Sequence, residues 1–394
     1  MQVIFFLICS IILPFFAQAE SIINGDARFE LYESQISNKR VAVFANNSSQ
    51  VNGQNIVDFL SKKQINIVKV FTPEHGFNVE ADAGFAVTNQ NSTNTKFKIV
   101  SLYGKKDKPT KNDLADVDVI IFDIQDVGVR YYTYISSLQK IMEAASEYNK
   151  QLIILDRANP NGFYIDGPIL EPKYKSFVGM QAIPIVYGMT IGEYARMLVG
   201  EEWLDLSPKN KSHQLKLTII PVANYTHASK YQLTDKPSPN LPNMTAIYLY
   251  PSLGWFEGTQ LSIGRGTSTP FQVIGHPDYK TDFSFTPHPM SGATNPPLNG
   301  KLCYGWDLQM PADEVLEQTD GKINLKYLLR AYKEFPDKAH FFTNFFDKLA
   351  GNDSLKQQII AGKTESEIRS SWQPGLKKFA VIRNKYLLYP ENDE

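Results

Sequence analysis

Short apolar runs alternate with helix-patterned stretches through the first two-thirds of the chain, and that alternation limits the fold more than any other feature. "RVAVFAN" (40–46), "NIVKVF" (66–71), "FKIVSLYG" (97–104), "VDVIIFDIQDVG" (117–128), "QLIILDRANPNG" (151–162) and "LKLTIIPVAN" (215–224) read as strands. Between them lie a short helix at "NIVDFLSKK" (55–63) and a longer one carrying Ile135, Leu138, Ile141, Met142 and Ala145 at helical spacing. A third helix follows at "TIGEYARMLVGEEWL" (190–204), with Thr190 as its N-cap. Continuous apolar strands separated by helices form a largely parallel sheet with helices on both faces, a Rossmann-like α/β architecture. The alternation fades near residue 276, Pro becomes frequent, and "NLKYLLRAYKEF" (324–335) reads as a helix. The expected division is a Rossmann-like domain over 20–275 and a smaller auxiliary domain over 276–394.

Residues 1–19 are expected to leave the chain. An apolar run from Val3 to Phe16 leads into Ala17-Gln18-Ala19, the small-x-small pattern of a secretory signal, although no basic residue precedes it. The run is shorter than the ~20 residues of a membrane span. The expectation is a periplasmic or secreted protein, not integral to the membrane. Cys303 is then the one remaining thiol, so no internal disulfide supports the fold. A formal net charge of −1 argues against nucleic acid or an anionic membrane surface as partner.

Four polar clusters stand at strand ends: Glu74 and His75 in "FTPEHGF"; Asp123, Gln125, Asp126 and Arg130; Asp156, Arg157 and Asn159; and Glu171 after "FYIDGPILEP". In a parallel sheet these ends share one side, so the clusters are expected to meet in one crevice. An Asp that ends a strand also serves to cap a turn or pair with an Arg, and Asp123 and Asp156 fit that reading equally. Glu74 has fewer such duties, because Pro73 ends its strand and Gly76 supplies the turn. The tyrosines of "RYYTY", Tyr132 among them, suit either a sugar-stacking platform or the first turn of a helix.

Several chemistries find no support. Gly264-Arg265-Gly266 is neither a dinucleotide fingerprint nor a phosphate loop, so no nicotinamide cofactor is expected. The six histidines (75, 213, 227, 276, 288, 340) lack the paired spacing of a zinc helix. No Gly-x-Ser-x-Gly elbow is present. A His75/Asp123/Asp126 metal site stays open as a lesser alternative, as does a sugar-binding protein without turnover. Arg265, set between glycines, presents a fork of donors suited to a carboxylate.

Taken in order, "TPEHGF", "SLYG", "FDIQDVGVRYYTY", "LDRANPNG", "GPILEP…SFVG", "PIVYGMTIGEYA", "PSPNLP" and "LYPSLGWFEGTQLSIGRGT" resemble the exo-β-N-acetylmuramidase (NamZ) family of bacterial glycoside hydrolases. The resemblance runs over residues 40 to 280 and implies release of N-acetylmuramic acid from the non-reducing end of peptidoglycan fragments, in a cleft between the two domains. Glu74 falls on the glutamate of the family's Pro-Glu-His-Gly motif, which is similar to a catalytic carboxylate, and Arg265 on the arginine of its Gly-Arg-Gly-Thr motif. Tyr187 and Gln272 stand where many members have His and Glu. Glycoside cleavage uses an acid and usually a second carboxylate. Glu74 is the expected acid. His75 is placed to tune Glu74, Glu171 is the first choice for the second role ahead of Asp123 and Asp126, and Arg130 or Arg265 could hold the lactyl carboxylate of muramic acid.

Overall fold

The computed structural model describes residues 21–78, 97–207 and 215–392. The signal segment lies outside them. Six parallel strands form the central sheet: β1 (Val41–Phe44), β2 (Ile67–Thr72), β3 (Lys98–Ser101), β4 (Val119–Phe122), β5 (Gln151–Leu155) and β6 (Lys216–Ile220). Their order is β3-β2-β1-β4-β5-β6. The chain starts in the middle, winds to one edge, returns and winds to the other, as in a doubly wound dinucleotide-type fold.

The central strands β1 and β4 are apolar on both sides because both sides are covered, whereas the edge strand β6 stays half-exposed. Val41, Val43, Val70, Val119, Ile121 and Ile153 point to one face, where α1 (Ile56–Lys62) brings Ile56, Val57 and Leu60. The alternate residues Ala42, Phe44, Phe71, Ile120, Phe122 and Ile154 point to the other. There α2 (Tyr134–Glu147) and α3 (Ile191–Gly200) pack, and Phe44 stacks on Phe122 with ring centroids 4.6 Å apart. Thr190 caps α3 as expected, in a reciprocal capping box with Glu193.

The second core continues without a break into the C-terminal third. It takes in α4 (Met244–Leu253), α5 (Ala312–Thr319), α6 (Lys326–Glu334), α7 (Phe346–Ala350), α8 (Ser354–Ile360) and α9 (Glu365–Asn384). A small antiparallel sheet, β7 (Val273–His276), β8 (Phe283–Phe285) and β9 (Cys303–Asp307), adjoins it in the order β8-β9-β7. The C-terminal tail folds back onto the Rossmann-like part. Tyr389 Oη donates to Asp156 Oδ2 at 2.6 Å, and Glu193 accepts from the Leu388 amide at 2.8 Å.

Candidate active site

β2 runs out at Thr72 and the chain turns at once. The Gly76 amide donates to the Pro73 carbonyl at 3.1 Å, closing a four-residue turn whose third position, His75, has φ 70°. That left-handed conformation is costly for a side chain other than Gly, and such strain gathers at functional sites. The turn places Glu74 against the start of α2, where Thr133 Oγ1 donates to Glu74 Oε2 at 2.7 Å. Tyr103, from the "SLYG" loop after β3, makes a second hydrogen bond to the Glu74 carboxyl. Burial, followed by the charge of Glu74, pushes the Tyr103 hydroxyl well above the ordinary tyrosine value.

Around Glu74 is a cavity of ≈ 210 Å³ whose walls are rich in aromatic rings. Tyr131, Tyr132 and Tyr134 come from the N-terminal end of α2, Tyr250 from α4, and Phe271 from the loop before β7. The hydroxyls of Tyr132 and Tyr131 are turned away to backbone carbonyls, to Pro237 at 2.8 Å and to Tyr250 and Pro251 at 3.0 and 2.9 Å. Edge-to-face contacts, Tyr132–Tyr134 at 4.6 Å and Tyr250–Phe271 at 4.9 Å, set the rings rigidly. Phe345 and Leu349, at the start and end of α7, close the side formed by the C-terminal third. The "RYYTY" segment thus serves both readings, since it opens a helix and lines a cavity.

Arg265 and Glu257 complete the wall. Arg265 Nε and Nη2 both reach Glu257 Oε1, at 2.8 and 2.7 Å, and the guanidinium lies 5.0 Å from the centre of the Phe271 ring. Its third nitrogen, Nη1, is buried with no hydrogen-bond partner.

The strand-end clusters do not all meet here. Glu74, His75, Tyr132 and Arg265 line the cavity; the other six site residues read from the sequence do not. Glu171 is exposed, and its amide donates to Gly351 rather than its carboxyl reaching the cavity. Asp123 is fully buried and bound to Arg157 Nε at 2.6 Å, with Asp26 on the same guanidinium at 2.7 Å. Asp156 is tied up by Thr190, the Gly192 amide and Tyr389, and Asn159 by the Met189 carbonyl and the Asn161 amide. Arg130 is fully buried and gives its terminal nitrogens to the carbonyls of Pro168, Ile183, Leu349 and Ala350. Its charge fastens the end of α7 and cannot reach a ligand. Among the described residues no three His, Cys, Asp or Glu side chains gather as a metal site. Glu257, Tyr103 and Thr133 were not picked out from sequence, although "GWFEGTQLS", "SLYG" and "RYYTY" contain them.

Asp126 sits behind the tyrosine wall, accepting from the Gly128 amide at 2.7 Å and from the Tyr187 hydroxyl. Burial pushes its carboxyl up to about 6, against those hydrogen bonds. The folded protein therefore holds this proton more tightly than the unfolded chain, whose Asp titrates near ~3.9. The resulting stability is full below about pH 4 and is lost as pH rises through about 6. Asp126→Asn keeps an acceptor for Tyr187 and Gly128 and removes the titration. Melting temperatures recorded from pH 4 to 7 should fall less steeply in the variant than in the wild type. Parallel curves would contradict the burial of an ionisable carboxyl there.

A Rossmann-order sheet with two glutamates on one aromatic cavity, at the C-terminal edge of its strands, is an arrangement that suits glycoside hydrolysis, a reaction that uses a pair of carboxyl groups. The chain belongs to the exo-β-N-acetylmuramidase NamZ family: the model of that family's N-terminal domain matches residues 41–245, and that of its C-terminal domain residues 248–389. It is 35% identical over 384 residues to the peptidoglycan β-N-acetylmuramidase NamZ of Bacillus subtilis strain 168, covering 91% of this chain and 89% of that one. Two crystal structures of DUF1343 family proteins from Bacteroides fragilis NCTC 9343 share the fold. One is 43% identical with a TM-score of 0.85, covering 95% of this chain and 100% of that one. The other is 26% identical with a TM-score of 0.74, covering 93% and 99%.

Proposed function

We propose that the protein releases N-acetylmuramic acid from the non-reducing end of β-1,4-linked peptidoglycan fragments, with Glu74 as the acid that protonates the departing oxygen. The observation that carries this reading is the meeting of Glu74 and Arg265 across one aromatic cavity in a chain of the NamZ family. Sugar rings present C–H faces that pack on aromatic rings. At ≈ 210 Å³ the cavity is below the ~300–1,000 Å³ of drug-sized sites, which suits a single terminal residue. Muramic acid differs from glucosamine by a lactyl ether whose carboxylate needs a cation. Arg130 is enclosed by carbonyls, so that duty falls to Arg265, the arginine that lines the cavity.

A site that offers a cation to the lactyl carboxylate penalises a ligand that lacks that group. Disaccharides ending in N-acetylmuramic acid should therefore be cleaved, and matched ones ending in N-acetylglucosamine should be poor substrates by a factor of ~10² or more. Sugar release followed by chromatography makes the comparison. Equal turnover would show that the lactyl carboxylate is not read. We also take residues 1–19 as a cleaved export signal acting at a periplasmic or extracellular site, and the intact mass of protein from its native host should begin at Glu20. Full-length chain in the membrane fraction would contradict cleavage.

A further inference from the structure

We infer that Glu257 is the second carboxylate of the reaction, the base that takes a proton from the attacking water, and that Arg265 is the residue that positions it. The inference rests on the muramidase reading above. Both donors of Arg265 fall on one oxygen, Oε1, so Oε2 of Glu257 is left without a partner among the described residues. The Glu257 side chain is 25% exposed, enough to keep water against it, while the Arg265 side chain is 13% exposed.

The loop that holds the arginine has a backbone that only glycine allows on either side of it. Gly264 and Gly266 both have φ 82°, and an added Cβ would come within 2.7 Å of the Thr269 carbonyl oxygen at one and the His288 carbonyl oxygen at the other. Phe271, which faces the guanidinium, has φ 56°, a left-handed value rare for an aromatic residue. One left-handed aromatic residue and two glycines with no room for a side chain, all set around one ion pair, point to a geometry fixed for chemistry rather than for stability alone. Glu74 and Glu257 also act on the same neighbours. Burial foremost, then the negative charges of both carboxylates, push the hydroxyls of Tyr103 and Tyr250 upward.

The step balances as a direct displacement. Glu74 gives its proton to the glycosidic oxygen while the bond from that oxygen to C1 breaks and its electron pair stays on the oxygen. A water oxygen bonds to C1 from the opposite side, and its proton passes to Glu257 Oε2. Solvent then returns Glu74 to the acid and Glu257 to the carboxylate. A β-linked substrate yields α-N-acetylmuramic acid first.

The test begins with the wild type on the muramic-acid-terminated disaccharide. Failure to release the sugar would sink the muramidase reading itself. With an active wild type, proton NMR during the first turnovers should show the α anomer, and the β anomer first would overturn water activation by Glu257. Glu257→Gln should lose ~10²-fold or more in kcat on both the disaccharide and an activated aryl glycoside, at a nearly unchanged Tm. Retained activity would overturn the assignment. Glu257→Asp, which keeps the charge opposite Arg265, supplies the same comparison if the Gln variant folds poorly. Adding Arg265→Lys to Glu257→Gln should lower kcat little further, its weakened hold on the lactyl carboxylate appearing in KM instead. A full additional loss would show that Arg265 does not act through Glu257.

Discussion

Glu74→Gln should reduce turnover of a muramic-acid disaccharide by ~10²–10⁴-fold, the usual share of general acid catalysis. Gln keeps the size of the side chain and a carbonyl oxygen to accept from Thr133 or Tyr103, but it has no proton to give. A leaving group that departs readily as an anion needs little protonation, so an activated aryl N-acetylmuramide should lose much less. The fold should hold, because Glu74 stands on a turn beyond β2 and contributes no apolar core. The comparison needs both substrates and a melting curve. An equal loss on the two would move the acid role away from Glu74, and a large fall in Tm would assign Glu74 to the structure.

The second large effect is on stability. Arg157→Met should lower the unfolding free energy by about 3–5 kcal/mol, since it leaves Asp26 and Asp123 buried together without their shared cation. Burial already pushes the Asp26 carboxyl up, against the pull of Arg157, so removing the arginine adds to an existing strain. Urea titration followed by tryptophan fluorescence reads the change directly. A near-native midpoint would show that the triad adds little to the fold and would return Asp123 to the list of groups free for chemistry.

The sheet was legible because its central strands are buried on both faces and so read as unbroken apolar runs. The helices α1, α2 and α3 of the first two-thirds were legible, α2 from its apolar period and α3 also from Thr190. The small β7–β9 sheet was not, because its strands are short and β8 and β9 are only partly buried. Nor was α9, whose Pro374 and Gly375 break the pattern of a helix that tertiary packing of Trp372, Leu376 and Phe379 nonetheless holds together. At the site, the end of β2 was readable from Pro73 and Gly76 alone. What could not be read was which strand-end carboxylates are already spoken for. Asp156 is occupied by Tyr389, 233 positions away in sequence, and Asp123 by Arg157, 34 away. Glu257 was passed over for the opposite reason. It lies beside a motif read for its arginine, and nothing local shows that this loop closes over the end of β2.

The most direct test is the product pattern from a tetrasaccharide of alternating β-1,4-linked N-acetylmuramic acid and N-acetylglucosamine with muramic acid at the non-reducing end. One cut from the end should yield free N-acetylmuramic acid and a trisaccharide that begins with N-acetylglucosamine, and the reaction should stop there. Two disaccharides appearing first would mean internal cleavage, which a cavity sized for one terminal sugar does not allow.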